Sequence, residues 1–176
     1  ELSLVRNSWR KFQYKVDSSG NYSPTSDTTF NVGAVNIEEN DKRTPLPYRT
    51  PKDIQRVQTL STNGVNLLQN EQSLTLQFCN MAKKDAKAVF ETYPNRDLRQ
   101  FRKLQMYIHA EKTEGTYLNN KDLTAVIRIG SDFVNNYYEV RIPLTLTPLN
   151  LGLDPNSDAY NDTLWIQGNN LDLTLS

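Results

Sequence analysis

Hydrophobic and polar positions alternate with a period of two along several stretches of this chain, most cleanly over residues 137–146. There Tyr138, Val140, Ile142, Leu144 and Leu146 fall on one side, while Tyr137, Glu139 and Arg141 fall on the other until Pro143 ends the polar row. Successive side chains of a strand point to opposite faces, so the pattern predicts a β-strand with one buried face. The same period puts Leu123, Ala125, Ile127 and Ile129 on one face of 121–132. It puts Leu104, Met106, Ile108 and Ala110 on one face of 102–111, and Leu74, Leu76 and Phe78 on one face of 73–80. Residues 85–93 read as strand or short helix, because their alanines favour helix while Val89, Phe90 and Thr92 favour strand.

The N-terminal third is looser. Residues 8–16 alternate with Trp9, Phe12 and Tyr14 as anchors, and 30–40 alternate through Val32, Ala34 or Val35, and Ile37; SSGNYSPTSD (18–27) between them is turn chemistry. RTPLPYRTPKD (43–53) holds three prolines and is expected to be extended. It is read as an arm clamping on its own domain, along a sheet edge, in preference to docking on a partner. Polar turns separate the runs and no long helix intervenes. The fold class is therefore all-β: an antiparallel β-sandwich, jelly-roll-like, with extended N-terminal arms. One domain spans 1–176, with loop-rich arms and edge strands in 1–72, core strands in 73–148, and an acidic C-terminal loop and final strand in 149–176.

Composition adds limits. A chain of 176 residues is long enough for a core without metal or disulfide support. Apolar residues are only 37% and Asn numbers 19, so many segments should face solvent irregularly. Zero formal net charge gives no general attraction to nucleic acid or an acidic membrane. Charge is unevenly placed: 143–176 has four Asp and no Lys or Arg, and 82–103 has seven bases against three acids. These blocks either meet in the fold or face a partner. The single cysteine, Cys79, excludes an internal disulfide and reads as a small residue near a strand end. No stretch approaches the ~20 apolar residues of a spanning helix. No signal peptide is visible, and the start at Glu1 without methionine suggests a fragment of something longer or a processed product.

The chemistry of common active sites is missing from the pattern. There is no phosphate-binding glycine loop, no His/Cys zinc spacing, no GxSxG elbow, and one histidine, His109. Glu111, Glu114 and Glu139 are the candidates for a carboxylate-pair hydrolase, but spacing alone sets no two of them ~5–10 Å apart across a cleft. The expectation is no enzyme and no cofactor. Asp154, Asn156, Asp158 and Asp162 in LDPNSDAYND are oxygen donors of the kind calcium takes. They lack the EF-hand glycine and closing glutamate, so a solvated Asx-turn loop is expected and no metal. The sequons at Asn21 and Asn161 read as chance matches in an Asn-rich chain.

What remains is the outward face of three strands. It presents Gln105, Tyr107 and His109 from the first, Thr124, Val126 and Arg128 from the second, and Tyr137, Glu139 and Arg141 from the third. If the strands are neighbours in one sheet, Tyr107, His109, Arg128, Tyr137, Glu139 and Arg141 form a ligand- or partner-binding face. Aromatics beside hydrogen-bonding side chains are one way a sandwich holds sugars. The plainer reading is a solvated face laced with cross-strand ion pairs such as Glu139 with Arg128.

The blocks VRNSWRKFQYKV, VGAVNIEENDKRTPLPYRTP, LLQNEQSLTLQFCNM, DLRQFRKLQMYIHAE and DLTAVIRIGSDFVNNYYEVRIPLTLTP follow one another in an order that resembles a segment of the SprA/Sov family. The resemblance runs from about Val5 to Pro148; beyond it, Ile166 stands where the family pattern leads one to expect proline. It implies a parent that is a very large outer-membrane translocon of the type IX secretion system, tied to gliding motility. This chain would be a non-catalytic structural and interaction module of that translocon, not itself membrane-spanning. Its implied partners are other parts of the translocon, accessory proteins, and secreted cargo or glycan. A carbohydrate-binding β-sandwich is the alternative.

Overall fold

The computed structural model describes residues 9–12, 30–56, 58–60, 66–68, 71–92, 97–133 and 135–175. Among the described residues ten strands form five antiparallel pairs, and short helices occupy little of the length. The antiparallel all-β expectation holds. Each described sheet has two strands, and the described pairings do not extend to a jelly-roll sandwich. The described residues fall into two compact units, one from 1–35 and 72–96, the other from 36–71 and 97–176.

In the first unit β1 (Arg10–Lys11) pairs with β6 (Val89–Phe90), and β2 (Phe30–Val35) pairs with β5 (Ser73–Phe78). Within the 85–93 stretch the strand covers Val89 and Phe90 alone. Phe30 and Phe78 stand opposite each other in register and stack with ring centroids 5.1 Å apart. Phe30 is buried, and Lys11 donates to its carbonyl oxygen while lying over its ring. The second half of the expected 8–16 strand, the 18–27 turn and the Asn21 sequon lie outside the described residues.

The second unit carries β3 (Gln58–Leu60) paired with β4 (Asn66–Leu68) and two longer pairs. Before these, α1 (Ile37–Asn40) ends the 30–40 alternation at Val35. Asn36 caps it: the side-chain oxygen accepts from Glu39 N at 2.8 Å, and Nδ2 donates to Glu39 Oε2 at 3.2 Å. The backbone N–H of Asn36 goes elsewhere, donating to Asn40 Oδ1 at 3.1 Å, so this is an asparagine N-cap and not a full capping box. Downstream, β7 (Lys103–Met106) pairs with β10 (Leu171–Thr174), and β8 (Thr124–Gly130) pairs with β9 (Tyr137–Pro143). Their register puts Ala125, Ile127 and Ile129 opposite Ile142, Val140 and Tyr138, as the period of two requires.

Tyr138 departs from its expected place in the core: it is 83% exposed. The alternation assigned its side correctly, but the apolar side of β8–β9 is only half-buried along its length, and Tyr138 sits at the loop end. Full burial begins beyond Pro143, at Leu144 and Thr147. The buried cluster is built from Leu46, Tyr160 and Leu164, with Leu151 and Trp165 packed against it. Two of these residues come from α2 (Asp158–Leu164), a helix inside the expected acidic loop, capped by Ser157 Oγ accepting from Tyr160 N at 3.1 Å. Burying such a side chain contributes about 1.5–3 kcal/mol. No helix of the described residues is long and apolar enough to cross a membrane.

Candidate functional site

Of the six residues proposed as one face, four share the β8–β9 hairpin. Arg128 stands opposite Glu139 in register, with Val126 opposite Arg141 and Gly130 opposite Tyr137. Arg128 Nε donates to Glu139 Oε2 at 2.6 Å and Arg141 Nε donates to Oε1 at 2.5 Å, so both oxygens of one carboxylate are engaged. Hydrogen bonds from Arg128 and then Arg141 hold the Glu139 carboxyl below the usual carboxylate range. The Arg128 guanidinium also lies 4.5 Å from the centroid of the Tyr137 ring, and its Nη1 donates to Phe133 O at 3.0 Å. The expected cross-strand ion pair is present. With two arginines on one glutamate, and Arg141 two-thirds exposed, the hairpin's polar side presents a positive charge.

Tyr107 and His109 are not part of this face. Their strand pairs with β10, and both residues follow its last paired position, Met106. They surround Trp165 instead: Tyr48, Tyr107 and His109 meet the indole edge-on at centroid distances of 6.2, 6.1 and 6.0 Å. Tyr107 Oη donates to Asp53 Oδ2 at 2.8 Å, and that bond raises the phenol's pKa. His109 Nε2 lies 3.1 Å from Glu111 Oε2, and its Nδ1 lies 2.9 Å from the carbonyl oxygen of Leu164. Glu111 is also gripped by Arg43, which donates from Nη1 to Oε1 at 2.7 Å and from Nη2 to Oε2, the oxygen His109 meets, at 2.6 Å. Burial pushes the Glu111 carboxyl up, but the bonds from His109 and Arg43 outweigh it and leave the pKa lowered.

Sequence reasoning missed Trp165 and Arg43 as organising residues. A lone tryptophan in a polar, acidic tail was the available signal for the first. The proline-rich arm clamps on its own unit, as expected, but on α2 and not on a sheet edge. Arg49, for example, donates from Nε to Pro155 O at 3.0 Å, just ahead of that helix.

Glu111 and Glu139 each have both oxygens met by arginine, which leaves neither arranged as a proton donor. Of the expected 153–162 loop only the part ahead of α2 is loop: there Asp154 Oδ1 accepts from Asn156 N at 2.9 Å in an Asx turn, while Asp162, on α2, pairs with Lys52. Among the described residues no group of three or more His, Cys, Asp or Glu is placed to hold a metal. One base of the 82–103 block meets the acidic tail, Lys103 Nζ lying 3.3 Å from Asp172.

The chain matches the SprA_N family, described as motility related/secretion protein, over residues 1–176. A comparison with curated proteins gives no match. The match covers the whole length, so the chain belongs to the SprA family of motility-related and secretion proteins.

Proposed function

We propose that, as a member of this family, the chain serves as a non-catalytic structural and docking module of an outer-membrane protein-secretion translocon, with the polar side of β8–β9 as its docking surface. The observation that carries the reading is the family match across both compact units. It supports treating 1–176 as one module and the parent as an outer-membrane protein. The docking role is supported by the fixed Arg128–Glu139–Arg141 cluster. Its geometry is set by two short charge-assisted bonds, and it offers Arg141 outward to an acidic or carbonyl-rich partner within the translocon, an accessory protein or cargo. The jelly-roll sandwich belongs to the same proposal. A two-stranded sheet is marginal alone, and further strands of the parent would complete the pairs.

The carbohydrate alternative keeps only the hairpin residues, since Tyr107 and His109 are engaged around Trp165.

The test replaces Arg128, Glu139 and Arg141 together by Ser in the full-length parent and follows export of a reporter cargo. The docking reading expects export to fall while the parent's level in the outer membrane is unchanged. Unchanged export removes the docking surface. Saturable binding of the parent module to a glycan panel, lost on Tyr137→Ala, would select the alternative.

A further inference from the structure

Three side chains in the acidic tail donate to three carbonyls of one segment, which bends over 44–46 and runs without helix or strand over 47–50. Tyr160 Oη donates to Pro47 O, Trp165 Nε1 to Arg49 O, and Asn161 Nδ2 to Thr50 O, each at 2.8 Å. The segment's apolar side chains go to the same place. Leu46, 1% exposed, sits in the cluster with Tyr160 and Leu164, and buried Tyr48 meets Trp165 edge-on. Pro45, Pro47 and Pro51 have no N–H, so the segment offers mainly carbonyls, and these three side chains answer with donors alone. Aromatic side chains whose N–H and O–H groups read the carbonyls of an extended proline-rich stretch are also how one protein holds the peptide of another.

We propose that the surface made by Tyr160, Asn161 and Trp165 is a peptide-binding site, filled here by the chain's own residues 44–51. Its ligand class is a proline-rich peptide that bends at an apolar side chain between prolines, supplied by a partner protein. The occupying segment is the argument for that chemistry: it shows which backbone and which anchor the surface accepts. As a tethered ligand it competes at an effective concentration on the order of millimolar, so a partner binds when the arm lifts. One end is fastened by Arg43 on Glu111. The other is fastened by Lys52 on Asp162, a pair more than half exposed and therefore weak. This site is separate from the β8–β9 face, and either proposal stands if the other fails.

The test uses the full chain and a fluorescein-labelled peptide of residues 42–53, read by anisotropy. Arg43→Ala with Lys52→Ala loosens both fastenings and leaves Leu46, Tyr160 and Leu164 in place. The expected result is saturable binding to the double variant at least about tenfold tighter than to the parent chain. Adding Asn161→Ala should weaken it by about tenfold, the effect of one lost hydrogen bond. A peptide carrying Leu46→Ser should not bind. A folded double variant with no saturable binding overturns the proposal. Should the double variant not fold, hydrogen exchange of the parent chain decides. Millimolar peptide must then speed exchange of the Tyr48 amide, which donates to Asn40 O at 2.9 Å, while α2 amides stay protected. Equal exchange with and without peptide overturns it.

Discussion

Arg43 meets both carboxylate oxygens of Glu111, 68 residues further along the chain, at 2.7 and 2.6 Å. The pair is three-quarters buried on the Glu111 side, with His109 against the same carboxylate. Because the folded pKa of Glu111 lies below its ordinary 4.5, the unfolded chain binds more protons in the acid range. Stability from this group is then fully present above about pH 4.5 and is lost as pH falls through the folded pKa. Glu111→Gln should cost about 1–3 kcal/mol at pH 7, because it leaves Arg43 partly buried without its charge partner. It should also flatten the decline of urea-unfolding stability between pH 5 and pH 3. Glu139 adds a slope of the same sign, so the decisive quantity is the difference between variant and parent chain. Identical slopes would show that Glu111 does not carry the acid sensitivity.

Arg128 and Tyr138 give opposite expectations within one hairpin. Arg128→Ala removes the ion pair to Glu139, the stack on Tyr137 and the bond to Phe133 O together. Exposed pairs contribute little, but three coupled contacts on one planar group should cost about 1–2 kcal/mol. Tyr138→Ser, at a position 83% exposed, should change stability by less than about 0.5 kcal/mol. Thermal unfolding of the two variants separates the cases. A large loss at Tyr138 would mean that the apolar side of the hairpin is covered in solution.

The hairpin was legible because its signal is local: two alternating runs joined by a short polar loop fix register and face at once, and Arg128 opposite Glu139 follows. The grouping of Tyr107 and His109 with that face was not legible. Alternation reports which side a residue takes but not which strand lies next to it, and β7 joins a strand near the far end of the chain. Two helix starts carried readable signals that the strand pattern masked. Asn36 with Glu39 has capping-box spacing, and Ser157 followed by Asp158 is an N-cap with an acid in the first turn. The arm's contacts with α2 are long-range and largely through backbone carbonyls, which leave no residue-type pattern to read.

Gly130 closes the hairpin at the position opposite Tyr137. A Cβ there would fall on the carbonyl oxygen of Asn136 and the Cα of Tyr137, both backbone, so no rotamer change relieves it. Gly130→Ala should therefore open the loop end of β8–β9 and destabilise by about 1–3 kcal/mol. At Gly168 an added Cβ meets nothing within 4 Å, and Gly168→Ala should stay within about 0.5 kcal/mol of the parent. Unfolding midpoints compare the two alanines directly. Equal effects would mean that the close approach at Gly130 relaxes at no cost.

Asn169 is 1% exposed and pairs with a backbone as a neighbouring strand would. Its Oδ1 accepts from Thr145 N and its Nδ2 donates to Thr145 O, both at 2.8 Å, holding the chain just beyond Pro143. Asn169→Ala leaves both groups of Thr145 without these partners, and an unsatisfied buried polar group costs about 1–3 kcal/mol. A loss of about 2–4 kcal/mol is expected. Asn169→Asp is the sharper variant. Ionised, it keeps the acceptor for Thr145 N but sets a negative oxygen against Thr145 O; protonated, it regains a donor. Burial and that carbonyl would raise the new carboxyl's folded pKa, so the aspartate form is most damaging at neutral pH and less so in acid. Measured against the parent chain at each pH, the deficit of Asn169→Asp should shrink as pH falls toward 4. A deficit constant with pH would mean that the side-chain amide does not bridge Thr145 in solution.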